Sequence, residues 1–257
     1  MSKNVTRLYK QFVPSAYKLI IEISEDKKSF SGSVTITGKK VGRPSQRITL
    51  HQKGLNISNA RIIQSDKKGN ETELAIERIV KQDSYDEVRF HFDKDIYPGN
   101  YTLSMDFSGT ITDNMDGIYP SRFMDGDTEK RLIATQFESH HAREAFPCVD
   151  EPEAKATFDM SITHDADETA LGNTPIQNET VDGVRKTTTY AKTPIMSTYL
   201  VAFIVGEMSY KEAKSKSGVL IRTYSTPSQV ENTSYALEVA VKAMDYYENY
   251  YDIPFPL

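Results

Sequence analysis

The sequence predicts a mainly β protein: an antiparallel multi-sheet saddle or sandwich domain, followed by one strand and a long C-terminal α-helix. Two patterns support this prediction. Short segments in which apolar and polar residues alternate recur from Tyr17 to Ile162, with turn residues between them. After Gly218 the apolar spacing changes to that of an amphipathic helix. Many short strands at regular spacing are typical of antiparallel sheets that pack face to face.

The predicted strands share a period of two, which places apolar side chains on one face of each strand. The first runs from Tyr17 to Ser24 and is interrupted only by Ile20, and the most regular one follows the turn at Pro98-Gly99. The apolar faces consist of Tyr17, Leu19, Ile21 and Ile23; Val34 and Ile36; Val88, Phe90 and Phe92; Tyr101, Leu103, Met105 and Phe107; and Phe158, Met160 and Ile162.

Two later segments carry different strand signals. The pair Asp182-Gly183, flanked by valines, is a signal for a two-residue hairpin turn. The apolar run from Tyr199 to Val205 does not alternate, and it predicts a strand that is covered on both faces.

A helix is predicted at the C-terminal end, after a strand through Val219, Ile221 and Thr223. Thr226 supplies an N-cap hydroxyl, Pro227 suits the first helical position, and Gln229 is placed to close a capping box. Prolines at positions 254 and 256 end the helix by about residue 252. Its apolar stripe consists of Val230, Leu237, Val241, Met244 and Tyr251.

The segment from Gly206 to Gly218 is the best domain boundary. We therefore predict a β domain over residues 1–207 and a second unit over residues 208–257. The helix of this second unit needs a surface to pack against, either the preceding sheets or polypeptide outside this chain. Self-association of the chain in isolation is a further expectation.

Composition excludes several classes of protein. The formal charge is −5, and no Lys/Arg run exceeds two residues, which argues against a nucleic-acid partner. The single cysteine excludes an internal disulfide and a Cys-based zinc site. The start of the sequence lacks an apolar signal region, and no apolar run approaches the roughly 20 residues needed to span a bilayer. We expect a cytoplasmic protein without a membrane partner.

The candidate site lies at the end of the segment Leu132 to Glu138. If this segment is a strand, its period puts Gln136 and Glu138 on one face and Phe137 on the other. An amide oxygen beside a carboxylate suits a cationic amine, which offers three N–H donors. The alternative is that both are solvated residues at the rim of a sheet.

The segments around this strand resemble the aminopeptidase N family of zinc metallo-aminopeptidases. They are Gly117-Ile118-Tyr119-Pro120-Ser121, Thr135-Gln136-Phe137-Glu138, Ala142-Arg143, Ala145-Phe146-Pro147-Cys148, Asp150-Glu151-Pro152, Lys155-Ala156-Thr157-Phe158 and Met196-Ser197-Thr198-Tyr199-Leu200-Val201-Ala202-Phe203.

This resemblance implies an N-terminal β domain that precedes a thermolysin-like catalytic domain, with residues 208–257 as the truncated start of the latter. It implies that Gln136 and Glu138 bind the free α-ammonium group of peptide substrates. The family's zinc motif, His-Glu-x-x-His, begins at none of the five histidines. We therefore expect no catalytic residue and no metal ligand here, zinc only in the full-length enzyme, and no peptidase activity of the chain alone. The remainder of the catalytic domain is an expected partner.

Other functions and residue roles remain open at this point. The chain is alternatively a stand-alone, non-catalytic β-sandwich binding module, or part of a related esterase or epoxide hydrolase. A metal cluster of His140, His141 and Glu144 is disfavoured, because neighbouring side chains diverge in an extended chain. Cys148 is expected to be a packing residue. Arg143, with Asp150 and Glu151, is expected to fix the local loop.

Overall fold

The computed structural model describes residues 7–255, so Pro256, one of the two prolines expected to end the helix, lies outside the described residues. Within them the strands are β1 (Phe12–Ile23), β2 (Ser29–Lys40), β3 (Ser45–His51), β4 (Asn56–Ser65), β5 (Glu71–Leu74), β6 (Ile76–Gln82), β7 (Glu87–Ile96), β8 (Gly99–Thr110), β9 (Gly117–Asp125), β10 (Thr128–Gln136), β11 (Thr157–Asp165), β12 (Thr169–Leu171), β13 (Ile176–Asp182), β14 (Arg185–Tyr190), β15 (Ile204–Gly206), β16 (Ser209–Lys214) and β17 (Leu220–Ser225). Short 3-10 helices cover Leu8–Lys10, Asp83–Tyr85, Ala142–Glu144, Thr198–Leu200 and Pro227–Thr233, and one α-helix, α1, covers Ser234–Tyr251.

These strands form four sheets, as the predicted multi-sheet β fold requires. The largest has eight strands in the order β13-β14-β11-β1-β2-β8-β4-β5. A four-stranded sheet has the order β12-β15-β10-β9, a three-stranded sheet the order β3-β7-β6, and β16 pairs with β17. Within the described residues β1 and β11 pair in parallel, and all other strand pairs are antiparallel. The mainly antiparallel β fold predicted from the sequence is confirmed.

The period-two pattern identified the core correctly. Every apolar side chain assigned to the inner faces of the five alternating segments is buried, whereas Ile20 is 38% exposed. Tyr17 stacks on Phe158 with ring centroids 4.9 Å apart, which ties β1 to β11. The continuous core cluster includes residues of the three larger sheets and ends with Val205 along the chain. One hydrophobic core therefore holds these sheets together.

The prediction of a doubly covered strand from Tyr199 to Val205 is wrong. Only Ile204–Gly206 is a strand, and a 3-10 turn over Thr198–Leu200 precedes it. The side chain of Asn173 replaces a sheet partner for this segment, because it donates to the Leu200 carbonyl at 2.8 Å and accepts from the Ala202 N–H at 2.9 Å. Backbone groups satisfied by a side chain do not need a ladder.

The hairpin between β13 and β14 forms one residue later than its sequence signal. Asp182 pairs with Arg185, so the two loop residues are Gly183 and Val184. Gly183 has a φ of +58°, and a positive φ at the first loop position is what a primed turn requires.

The C-terminal part contains a strand that the sequence did not predict. β16 lies inside the segment that we expected to be the domain boundary, and it pairs with β17. The helix then starts at Pro227 as predicted, but Thr226 makes no side-chain cap and the first seven residues are 3-10. It ends at Tyr251, and the C-cap residue Asp252 has a φ of +53°. It packs on its own hairpin, where the Lys216 N–H donates to Asp245 at 2.8 Å.

No residue of α1 is fully buried. Its exposed side chains include four tyrosines: Tyr246, Tyr247, Tyr250 and Tyr251. Among the described helices, none is long and apolar enough to cross a bilayer.

Candidate functional site

The end of β10 presents Gln136 and Glu138 to solvent. β10 runs antiparallel to β9, with Gln136 opposite Gly117. Ile133 and Phe137 are buried, whereas Gln136 and Glu138 are both exposed. Both side chains are exposed, but β10 ends at Gln136, so the strand period places only the amide. Glu138 belongs to the turn that follows the strand, and not to the strand as the sequence predicted.

Phe137 fixes the point at which the chain leaves the sheet. Its ring packs edge-on against Phe146, with centroids 6.1 Å apart. Its carbonyl accepts the N–H of His141 at 2.9 Å, which closes a turn around Glu138. The peptide bond between Glu138 and Ser139 is cis. Glu138 therefore lies at the tip of a turn that is held by a buried aromatic residue.

The carboxylate of Glu138 is free to accept a ligand. Within residues 7–255 it forms no ion pair and no hydrogen bond, and the amide of Gln136 has no side-chain partner either. A carboxylate turned inward against an arginine or lysine would have contradicted the ligand hypothesis. The structure instead leaves both side chains exposed, Gln136 at the last position of β10 and Glu138 in the turn that follows.

The turn continues into a cluster of charged side chains that the sequence analysis did not predict. Glu144 contacts the Nζ of Lys53 and the Nδ1 of His141, each at 2.9 Å, and the Nε2 of His141 lies 3.8 Å from Asp116. Burial alone would raise the pKa of Glu144, but the hydrogen bonds from Lys53 and His141 outweigh it and lower that pKa. Asp116 and Lys53 gave no sequence signal, because both come from distant segments.

The expectation that the two neighbouring histidines diverge is wrong. The rings of His140 and His141 stack with centroids 4.9 Å apart, because this segment is a turn and not extended chain. His140 is engaged with the hydroxyl of Ser139 at 2.7 Å, and His141 with Glu144.

Glycine is required at position 117, opposite Gln136. Its φ is +66°, and an added Cβ would lie 3.1 Å from the Cβ of Glu144. Both the backbone conformation and the close approach disfavour a side chain. Gly117 thereby allows β9 to begin directly against the turn that carries Glu144.

The loop after this turn is fixed by hydrogen bonds, as expected for Arg143 and the two acids. Arg143 donates from Nε to Asp150 at 3.0 Å, and the hydroxyl of Thr198 donates to the other oxygen at 2.7 Å. Glu151 accepts the N–H of Leu8 at 2.7 Å and the Nε of Arg7 at 2.9 Å. These carboxylates have structural partners and do not face an open site.

Cys148 is buried in the same loop, and burial raises the pKa of its thiol. A thiol that resists ionisation is a poor nucleophile. This supports the expectation that Cys148 is a packing residue.

His51 is a buried histidine whose importance the sequence did not reveal. Its backbone forms an isolated bridge with Cys148, and its Nδ1 accepts the N–H of Asp150 at 3.0 Å. Burial lowers the pKa of His51 to about 3, and the positive charge of Arg143 adds to this effect. The ring therefore stays neutral in the folded protein, with its proton on Nε2.

This neutral histidine makes stability pH-dependent. Above about pH 6.5 neither state protonates His51, whereas below it the unfolded chain binds a proton that the folded chain takes up only near pH 3. As the pH falls from 6.5 to 4.5, we expect the free energy of unfolding to decrease, and His51 alone should account for about 2–3 kcal/mol of this decrease. Urea denaturation at both pH values measures it. His51→Gln should lose that part of the pH dependence, and an unchanged dependence would contradict the assignment.

The histidines of this chain do not fit a zinc site. His51 and His164 are buried and form hydrogen bonds to the backbone and to Thr188, whereas His140 and His141 form hydrogen bonds within their own turn. The fifth histidine, His91, lies on β7. Residues 7–255 contain no group of three or more His, Cys, Asp or Glu side chains that could hold a metal ion. A structural or catalytic zinc site needs at least three protein ligands.

Comparison with known proteins shows the family to which the chain belongs. The Peptidase M1 N-terminal domain model matches residues 13–200. An aminopeptidase N of Lactococcus lactis subsp. lactis is 41% identical over 261 aligned positions, which cover 100% of this chain and 29% of that protein. An aminopeptidase N of Lactobacillus delbrueckii subsp. lactis is 38% identical over 98% of the chain and 28% of its own length.

A similar match comes from a more distant source. A puromycin-sensitive aminopeptidase of Caenorhabditis elegans is 36% identical over 95% of the chain and 26% of its own length. The chain therefore spans less than a third of the length of these relatives. With the β fold and the match over residues 13–200, the chain belongs to the Peptidase M1 N-terminal domain family, in the aminopeptidase N group of peptidases.

Proposed function

We propose that this chain is the N-terminal part of a zinc-dependent aminopeptidase that removes N-terminal amino acids from peptides. In this proposal Glu138 and Gln136 bind the free α-ammonium group of the substrate. The observation that carries the proposal is the exposed carboxylate of Glu138, which forms no ion pair or hydrogen bond within residues 7–255 and follows the exposed Gln136 by two positions.

The chemistry of the two acceptors matches that of the ligand. An ammonium group has three N–H donors, and hydrogen bonds between ionised partners are about twice as strong as neutral ones. The α-amino group has a reference pKa of roughly 7.7–8.0, and a neighbouring carboxylate raises it. The substrate is thus held in its charged form at neutral pH.

Fixing the ammonium group also sets where the peptide is cut. A peptide whose free end is bound at Glu138 places its first peptide bond at a fixed distance from the turn. Only the terminal residue then reaches the catalytic groups. The chain's own residues would bind and orient, and the zinc and the catalytic groups would belong to the longer part of the enzyme that the relatives contain.

The division at residue 207 has support from the core. The hydrophobic core cluster ends with Val205, and β16, β17 and α1 pack on one another after it. We propose that residues 208–257 begin the catalytic domain and that its remainder covers the exposed tyrosines of α1. We also propose a cytoplasmic location, with which the single, unpaired Cys148 is compatible.

Two substrates that differ only in whether the α-amino group is free or acetylated test this function. We expect the zinc-loaded full-length protein to cleave leucine p-nitroanilide about 100-fold faster, or more, than the Nα-acetylated compound, because acetylation removes the charge that Glu138 binds. Absorbance of the released nitroaniline measures both rates. Equal rates would contradict the ammonium site. Failure to cleave any free-amine substrate would favour the alternative, a non-catalytic β-sandwich binding module.

A further inference from the structure

A small cavity with an unusual charge lies where β2 turns towards β3, beside the 3-10 helix that precedes β1. Its volume is about 210 Å³. Four cationic residues line it, and no acidic residue of the described chain does: the four are Lys10, Lys40, Arg43 and Arg47. We call them the cationic cluster. In a protein with a net charge of −5, such a lining needs an explanation.

Lys40 is the buried member of the cluster. It is only 3% exposed, and its Nζ donates one hydrogen bond, to the Arg43 carbonyl at 2.8 Å. Its ammonium group has two further N–H donors, for which the described residues provide no hydrogen-bond acceptor. Burial lowers the pKa of Lys40, and the carboxylate of Asp95 opposes only part of this effect. A buried lysine without a paired carboxylate is costly unless an anion compensates it.

The other three members are exposed at the mouth of the cavity. Within residues 7–255 none of the cluster's cations lies within 4.0 Å of a carboxylate oxygen, although most other buried or half-buried cations of the protein form such pairs. Residues 1–6 contain no acidic side chain that could neutralise the cluster. The unmatched positive charge therefore remains available to a ligand.

The size and the donors of the cavity select the kind of anion. Two guanidinium groups present planar pairs of N–H donors that match the oxygens of a phosphate group, and the two ammonium groups add point charges. A volume of about 210 Å³ accommodates one phosphate group with a small substituent but not a long polyanion. We propose that the cationic cluster binds a phosphate group, either as inorganic phosphate or as a small phosphomonoester.

Calorimetric titration of the full-length protein with inorganic phosphate, at constant ionic strength, tests the proposal. We expect one saturable site per chain. The double variant Arg43→Gln/Arg47→Gln should bind about tenfold more weakly or worse, because charge-assisted hydrogen bonds are lost. Both side chains are exposed, so folding should be unaffected.

A matched control distinguishes binding at the cationic cluster from a general effect of the protein's positive charge. Lys214→Gln/Lys216→Gln removes two exposed positive charges elsewhere, on and beside β16, and should leave phosphate affinity unchanged. Lys40→Met keeps the buried apolar stem and should lose binding as the arginine variant does. Absence of saturable binding, or equal weakening in the arginine variant and the control, would overturn the proposal.

A second titration, with glycerol 3-phosphate, distinguishes the two sources of the phosphate group. Tighter binding than inorganic phosphate would identify a phosphomonoester as the ligand, and weaker binding would identify the free ion. Either result supports the site. Because binding is measured without turnover, this result is independent of the peptidase assay.

Discussion

Replacing Glu138 with Gln in the full-length protein is expected to lower kcat/KM for leucine p-nitroanilide by about two to four orders of magnitude. The substitution preserves the shape of the side chain and one oxygen acceptor, but it removes the charge that we propose pairs with the α-ammonium group. Loss of one partner from a desolvated ion pair costs about 3–5 kcal/mol, and each 1.36 kcal/mol is about tenfold in rate. Zinc content should not change, because Glu138 is not a ligand in this proposal.

The control for this variant is Glu129→Gln, at the other end of the same strand. Glu129 is an exposed carboxylate whose contact with Arg122 measures 3.4 Å, and solvent screens such exposed ion pairs. Its kcat/KM should stay within about twofold of the unmodified enzyme. The Glu138 variant should also lose most of the preference for a free over an acetylated amine. Near-normal cleavage by that variant would refute the role of Glu138.

The sequence predicted those strands whose two faces differ in polarity. β1, β7, β8 and β11 bury one apolar face, and their period of two is therefore visible. β16 was missed because its alternation is only between half-buried and exposed positions, and its partner β17 binds it through the main chain. Main-chain pairing leaves little trace in side-chain composition. The run from Tyr199 to Val205 was misjudged because one distant side chain satisfies its backbone.

In the candidate site, too, local features were predictable from the sequence and long-range contacts were not. The exposure of Gln136 and Glu138 followed from the burial of their neighbour Phe137, which is a local property of this segment. His51 was not predictable, because its partner Asp150 is 99 residues away in sequence. Only the folded register between β3 and the loop after β10 brings this pair together. Local periodicity thus identifies which side chains face solvent, and tertiary structure decides which of them meet.

Replacing Arg143 with Met is expected to lower the free energy of unfolding by about 3–5 kcal/mol. The carboxylate of Asp150 is buried, and Arg143 is its charged partner at 3.0 Å. Methionine fills a similar volume but leaves that carboxylate uncompensated, with the hydroxyl of Thr198 as its main remaining donor. Urea denaturation followed by circular dichroism measures the change.

Arg61→Met is the matched control, because two nitrogens of the Arg61 guanidinium also donate hydrogen bonds to a carboxylate. Its bonds to Glu73 measure 3.0 and 2.8 Å, but the arginine side chain is 63% exposed. Solvent screens this exposed pair, so the variant should leave the free energy of unfolding nearly unchanged. Asp150→Asn, added to Arg143→Met, should recover part of the loss because it removes the stranded charge. Equal destabilisation by the two single variants would mean that burial of Asp150 does not determine the effect. If the prediction holds, the loop that follows Glu138 depends on a buried charge pair for its position, and the proposed ammonium site lies directly before that loop.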